Sequence, residues 1–428
     1  MTLERIQVDY LARVEGEAAL KITLSDGKIK DLMLNVFEPP RFFEGFLVGR
    51  RFEEVPELVS RICGICPVSH QITSLQAIED ALGIEVSQQT RDLRKLLALS
   101  QYIQSHSLHV YMLAAPDFLG YESALSMVED YRPVVERALR MKRLGNDITA
   151  AIGGREVHPV TAAVNGFTKV PSRKVLRDFL LRLEQAKQDA LETVKLIGSL
   201  QVPDLTRDCE HVALRSTNEY AINEGRLVST KGLDIPVWQY RNHIKEKHVP
   251  HSNALHSYIV GRGSFLVGPL ARVNLNFDRL SPDAQKAALE TGVQFPNFNP
   301  FYSALARAIE LVHSVDESIE IIERLDPVEE DRSFEVKGGE GFAITEAPRG
   351  VLYHSYRIND EGLVEAADIV TPTAHNVNNM EQDLREYVPR VINLPEEEAR
   401  LKCEMVIRNY DPCFSCSTHF LRLEIKRQ

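Results

Sequence analysis

The beginning of the chain alternates apolar and polar residues with a period of two, and the pattern later changes to apolar residues three and four apart. Residues 5–11, 18–24 and 28–36 have the alternation and composition of strands. Ser25-Asp26-Gly27-Lys28 supplies the turn chemistry of a hairpin between the second and third. After Pro56 the period is helical, most clearly over 93–113, 123–144, 172–197 and 300–325. In the third of these, Leu176, Phe179, Leu183, Ala186, Ala190, Val194 and Ile197 form one stripe, with Ser172 placed to cap it. Residues 200–275 mix short apolar runs with Gly, Pro and His, and 334–372 read as short strands and turns. A last helix over 395–406 leads to Asp411-Pro412-Cys413. With no repeat, low-complexity tract or linker, the pattern predicts one α+β domain over 1–428. Its core is expected to be a bundle of long helices, with an N-terminal β-sheet region and irregular peripheral segments.

Composition narrows the function classes. Of the 428 residues, 44% are hydrophobic and 26% charged, ordinary proportions for a folded soluble chain. The net charge is −11 with both signs interspersed, and no basic stripe points to nucleic acid. No apolar run approaches the length of a transmembrane helix. The first residues lack the basic-then-apolar layout of a secretory signal, so a cytoplasmic protein is expected, with export on a partner's signal left open.

The informative residues are cysteines. They stand at 63, 66, 209, 403, 413 and 416, and four of them make two Cys-x-x-Cys pairs. In this setting the pairs point to metal or redox chemistry before structural disulfides, and Cys209 and Cys403 read as buried fillers. Two-residue spacing lets both thiolates of a pair reach one metal. Gly64 removes bulk between the first two, and Pro67 and Pro412 stiffen the flanks. Four thiolates suit zinc, iron–sulfur clusters, copper(I) or nickel. A structural zinc site is the plain alternative. Against it, nearly the whole chain separates the pairs, and each is followed by a histidine, His70 and His419. A thioredoxin-like dithiol fits less well, since it needs only one pair in a βαβ setting.

The wording around the pairs is more specific than their spacing. Arg61-Ile62-Cys63-Gly64-Ile65-Cys66 followed by His70, with Asp411-Pro412-Cys413-Phe414-Ser415-Cys416 followed by His419, resembles the signature pair of nickel–iron hydrogenase large subunits. Further segments of that family follow in order: Arg13-Val14-Glu15-Gly16, Arg41-Phe42-Phe43-Glu44, Ser105-His106-Ser107-Leu108-His109, Pro116-Asp117, Gly153-Gly154-Arg155 through His158-Pro159-Val160, Glu346-Ala347-Pro348-Arg349-Gly350, and Thr371-Pro372-Thr373. The resemblance spans essentially the full chain. It departs at Glu17, where many relatives carry His, and at Asn165-Gly166, where a double glycine is expected. Neither touches a candidate ligand. The short chain and the Pro39-Pro40-Arg41 wording resemble the cytoplasmic, multisubunit branch that couples to NAD(P).

The resemblance implies roles for particular residues. Cys63, Cys66, Cys413 and Cys416 would bind nickel, with Cys66 and Cys416 bridging to an iron that carries carbon monoxide and cyanide. The activity implied is reversible heterolytic cleavage of H2, and the proton acceptor would be the Cys413 thiolate or Arg349. Glu15 would relay protons, its carboxyl raised by burial. Asp117 and Asp411 would orient Arg349 and the cysteine loop, with Pro348 flanking the arginine. Pro372 and Thr373 would meet the cyanides, and His70 a bridging sulfur. Glu44, His419 and the carbonyl of Ile369 would hold a separate Mg2+ or similar ion, although imidazole is not a preferred magnesium ligand. Out of that context Arg349 is a turn residue, Glu15 a strand residue beside Arg13, and Asp411 a cap before Pro412. His106 and His109 are expected to pack internally or face a partner.

Residues 420–428 resemble an extension that a maturation protease removes after metal insertion; on its own the segment reads as a surface strand. The chain has too few spare cysteines for an electron-carrying cluster and no Gly-x-Gly-x-x-Gly fingerprint. An iron–sulfur small subunit and flavin or NAD(P)-reducing subunits are therefore the implied partners. The rival classes are a respiratory quinone-site subunit, which would lack the four cysteines, a zinc-stabilised scaffold, and a hydrogen sensor, which would lack the tail.

Overall fold

Asp26 and Gly27 both take left-handed backbone angles, φ 52° and 72°. That is the twist a two-residue hairpin requires, and it sets Ser25 opposite Lys28. In the computed structural model, which describes residues 4–418, β1 (Arg5–Val8), β2 (Ala18–Ser25) and β3 (Lys28–Val36) form an antiparallel sheet in that order. Alternate residues Ile6, Val8, Leu20, Ile22, Leu32 and Leu34 are buried, as the period of two predicts.

The helices that organise the centre are α1 (Phe43–Leu47), α2 (Pro67–Leu82), α3 (Gln88–Leu108), α4 (Val128–Gly153), α5 (Leu180–Gly198), α6 (Ser303–Arg324), α7 (Pro372–Val391) and α8 (Glu396–Asn409). Helix α3 packs against α4 and α6, and α6 against α5. The element types follow the sequence expectation, while several boundaries move. The run 172–197 divides into Arg173–Arg177 and α5. Helix α4 starts later than predicted and runs further, bent where Tyr131 leaves helical angles ahead of Pro133. Helix α3 ends at Leu108 and passes into a π-helical turn, His109–Ala114.

Two differences matter for function. Residues 334–372 hold long strands as well as turns. They include the meander β6 (Gly339–Ala347), β7 (Gly350–Ile358) and β8 (Val364–Val370), which lies later in the chain than the hairpin β4 (Ile244–Val249) and β5 (Ser252–Ile259). Helices α2 and α7 were not individually foreseen: α2 is buried on nearly every side and displays only a weak apolar stripe, while α7 buries many polar residues, Asn376, Asn379 and Asp383 among them. Helix α2 lies on β6 and β7 so closely that a side chain at Gly341 would run into the backbone of Ala77 and Ala81. One continuous core extends from Ile6 to Cys416.

Candidate metal centre

Each cysteine pair sits at a helix end. Cys66 caps α2, whose first residue is Pro67, so the pair lies in the turn where the chain enters the helix. The second pair follows α8. Asp411, the residue that turns the chain out of that helix toward Pro412, takes a left-handed φ of 55°. The loop then lies beside the N-terminal segment. Phe414 N–H donates to Glu15 O at 2.9 Å, and Glu15 N–H donates to Pro412 O at 3.3 Å. Distant ends of the chain are thereby joined at backbone level.

The sulfurs converge. Cys63 Sγ lies 3.7 Å from Cys413 Sγ, and the Sγ atoms of Cys63, Cys66 and Cys416 lie within 4.8 Å of one another. All four side chains are buried. Cys413 and Cys416 are joined as a disulfide, which departs from the sequence expectation; their two-residue spacing puts the sulfurs within bonding reach. Metal binding by that pair starts from its reduced, dithiol form. Hydrogen bonding from the Cys66 thiol brings Cys63 down to about 7 against the effect of burial, with Arg349 assisting. Cys66 is pushed well up.

Arg349 is the nearby fixed charge. It leaves the turn between β6 and β7 and is buried with its partner Asp411, donating from Nη2 to Oδ1 at 3.0 Å and from Nε to the Asp411 carbonyl at 2.7 Å. Burial opposes its charge, but Asp411, Cys63 and Cys66 outweigh burial and hold its proton more firmly than usual. Its Nη1 is buried with no hydrogen-bond partner among the described residues. Asp411 is likewise kept ionised against burial by Arg349, His109 and Arg307.

The remaining predicted residues fall as follows. Thr373 Oγ1 accepts from Cys413 N–H at 2.9 Å, and Pro372 opens α7 beside it. Pro348 is buried, and its carbonyl accepts from Arg272 at 2.9 Å. Glu15 has its carboxylate within 4.8 Å of the Cys413 and Cys416 sulfurs and bonds Ser415 through Oγ and N–H. It is half-buried, not enclosed as the sequence reading assumed, because its strand-like segment lies at the surface. His70 Nδ1 lies 3.3 Å from His354 Nε2. Asp117 corrects part of an expectation: it pairs with Arg13 and Arg408 and leaves Arg349 to Asp411. Arg408 precedes Asp411 by one helical turn, so Asp117 acts on the cysteine loop through α8. His106 and His109 are wholly buried, bonded to Glu310 and to the Arg408 carbonyl. Cys209 and Cys403 are buried fillers, pushed up to about 12 by burial.

Glu44 accepts from Ile369 N–H at 2.9 Å. Burial lifts its carboxyl to about 7, opposed by that hydrogen bond. His419 and the tail 420–428 lie outside the described residues.

Sequence reasoning missed the residues that brace the site. Arg41 donates to Ile62 O at 2.7 Å and Ser415 O at 2.6 Å, tying one cysteine turn to the other. Arg307 on α6 donates to the carbonyls of Asn409 and Tyr410. Arg272 donates to the carbonyls of Ala347 and Pro348 and is held by Glu310 and Glu346. Arg41 carried a signal, since it belongs to a quoted segment; Arg272 and Arg307 look like surface charges on helices.

The donor set fits a soft-metal centre. Four buried sulfurs approach from two turns, a guanidinium offers an unused donor, and the turns are fixed by hydrogen bonds outside the sulfurs. A cavity of about 1250 Å³ between Glu79, Lys95, Glu317 and Arg324 lies elsewhere and has no cysteine in its wall.

Comparison with known proteins bears on the same residues. The family described as nickel-dependent hydrogenase matches residues 41–132 and 264–419. Sulfhydrogenase 1 subunit alpha of Pyrococcus furiosus is 36% identical over 98% of both chains. Sulfhydrogenase 2 subunit alpha of the same organism is 34% identical over 98% of this chain and 100% of that one. Among solved structures, an NAD+-reducing [NiFe]-hydrogenase in the H2-reduced state superposes with a TM-score of 0.85 at 26% identity, covering 98% of this chain and 100% of that one. The Ni-Fe-Se hydrogenase of Desulfomicrobium baculatum shares the fold, with a TM-score of 0.79 at 23% identity over 97% of this chain and 100% of that one.

Proposed function

The chain belongs to the nickel-dependent hydrogenases as a catalytic subunit acting on H2, and from that premise we propose how its residues divide the work. Cys63, Cys66, Cys413 and Cys416 would hold the nickel, and Cys66 and Cys416 would also serve the iron, which would bear carbon monoxide and cyanide. The observation that carries this reading is the meeting of four buried sulfurs from opposite ends of the chain beneath one buried arginine. When bound, the nickel–iron centre supplies the Lewis acidity and redox capacity for heterolytic cleavage of H2.

The protein's own groups handle the proton and the surroundings. Cys413 Sγ receives the proton, because Arg349 holds its own so firmly. Glu15 carries it onward, its carboxylate being within 4.8 Å of that sulfur and open on one side. Arg349 through its unused Nη1, and Thr373 through its hydroxyl, are donors for cyanide. Asp411 fixes the direction of Arg349, Asp117 steadies α8 through Arg408, and Pro348, Pro372 and His70 shape the walls. Glu44, with Ile369 and His419, serves a hard divalent ion such as Mg2+. A bound cation would return the Glu44 carboxylate to its charged form.

Electrons leave through an iron–sulfur small subunit to flavin and NAD(P)-reducing subunits. The likeness to an NAD+-reducing hydrogenase supports that route, and an assembly using those nucleotides works in the cytoplasm. No helix among the described residues is long and apolar enough to cross a membrane. The main core, which extends from Ile6 to Cys416, supports one domain over 1–428, with 420–428 trimmed by a maturation protease.

Elemental analysis and infrared spectroscopy of the complex purified from cells test the centre. Nickel is expected together with iron in excess, since the partner's clusters also carry iron, with carbon monoxide and cyanide stretches that vanish in Cys63→Ser; zinc alone would overturn the reading. H2-dependent reduction of NAD+ or NADP+ by the same preparation tests the electron route.

A further inference from the structure

A second group of ligating side chains lies away from the cysteines, where the β4–β5 hairpin meets α7. His251 stands in the hairpin turn, His256 on β5 and Glu381 midway along α7. His251 Nε2 is 2.8 Å from Glu381 Oε1, and that oxygen also accepts from Leu34 N–H of β3 at 2.9 Å. His256 is 1% exposed, and its Nε2 has no hydrogen-bond partner among the described residues. One ligand atom from each of the three residues lies within 4.8 Å of the others.

A histidine–glutamate hydrogen bond accounts for two of these residues and leaves the third unexplained. A buried ring nitrogen without a partner is disfavoured by about 1–3 kcal/mol, so a neighbour for His256 Nε2 is to be expected. We propose that His251, His256 and Glu381 form a site for a zinc-class divalent ion. Two imidazoles and one carboxylate are a donor set that zinc takes with a water as fourth ligand. Imidazole also disfavours magnesium and calcium relative to first-row transition ions. Around a tetrahedral ion the ligand atoms stand about 3.4 Å apart, so side-chain rotation closes the observed spread. The ion would replace the proton between His251 and Glu381.

A route in exists. His251 is the partly exposed member of the three and lines a surface cavity of about 370 Å³ with Asn35, Phe37 and Asn253. The site would clamp β3 and the β4–β5 hairpin onto α7, whose first turn carries Thr373 against the cysteine loop. This assignment is independent of the nickel–iron reading.

The test is made on the complex as purified, washed in metal-free buffer and supplied with zinc alone. One zinc per chain should remain, with an X-ray absorption shell of imidazole nitrogen and oxygen. His256→Ala removes no hydrogen bond of that nitrogen, and Glu381→Gln keeps an acceptor for Leu34. Each should weaken zinc binding by at least about 100-fold, with nickel and iron contents unchanged. No retained zinc, as when a water occupies the place, a sulfur shell, or full retention in His256→Ala would each overturn the proposal. If Glu381→Gln fails to fold, His256→Ala decides alone.

Discussion

The ion pair between Arg349 and Asp411 allows a prediction whose sign is unusual: a second substitution should repair the first. Both side chains are almost completely enclosed, at 3% and 2% exposure, and are joined by a 3.0 Å hydrogen bond. Changing Asp411 to Asn removes the charge and keeps a side chain that tolerates the left-handed φ of 55°. The guanidinium is then left buried without its counter-ion, a situation worth roughly 3–5 kcal/mol of lost stability. Replacing Arg349 by Met at the same time removes the stranded charge. What remains is the difference between a buried pair and a packed apolar contact, which ranges from neutral to favourable, to about 4 kcal/mol. The expected order of urea midpoints for the metal-free chain, followed by circular dichroism, is therefore wild type near the double variant and both above Asp411→Asn. A double variant less stable than Asp411→Asn, with additive effects, would refute the assignment of a strong buried pair. The pH dependence has a matching sign. Asp411 is held below the ordinary carboxylate value, so its contribution is present above about pH 4 and is lost as the pH falls through its lowered folded value.

Further predictions concern other links in the chain of argument. Glu15→Gln should abolish most H/D exchange catalysed by the complex while nickel and iron contents are retained; unchanged exchange would exclude the relay. Arg41→Met removes two charged hydrogen bonds joining the cysteine turns, each worth about 1.5–3 kcal/mol, and should lower metal retention during dialysis more than Arg50→Met does. Gly341→Ala should lower the urea midpoint by an amount equivalent to roughly 1–3 kcal/mol, the usual effect of overpacking, because α2 leaves no space for a methyl group. His211 and His375 are held down to about 3 by burial. The unfolded chain takes up those protons first, so stability should fall as the pH drops from about 6.5. Urea midpoints across that range should fall less steeply in His211→Asn.

Much of the centre was legible because its chemistry is written locally. Cys-x-x-Cys spacing, the Asp-Pro before the second pair and the following histidines are short-range features, and the fold brings their sulfurs together. The N-terminal hairpin was legible for the same reason, since Asp26-Gly27 fixes its own turn. What could not be read was long-range pairing between charges on different helices. Asp117 was matched to Arg349 through the family resemblance, whereas α8 presents Arg408 to it. Arg272, Arg307 and Glu310 are wholly enclosed, yet each sits in a helix at a position where solvent would be the ordinary expectation. Helix α2 shows the converse: packing on nearly all sides weakens the stripe that reveals a half-buried helix.

The backbone exchange between Glu15 and the 412–414 turn has a consequence for biosynthesis. A ribosome makes the Glu15 side of this junction long before the 412–414 side. Until that later turn is made, the nascent chain can fold its helices but has no complete cradle for nickel. Loading must follow synthesis of that turn, and a message cut short upstream of it yields a chain with only half of the sulfurs.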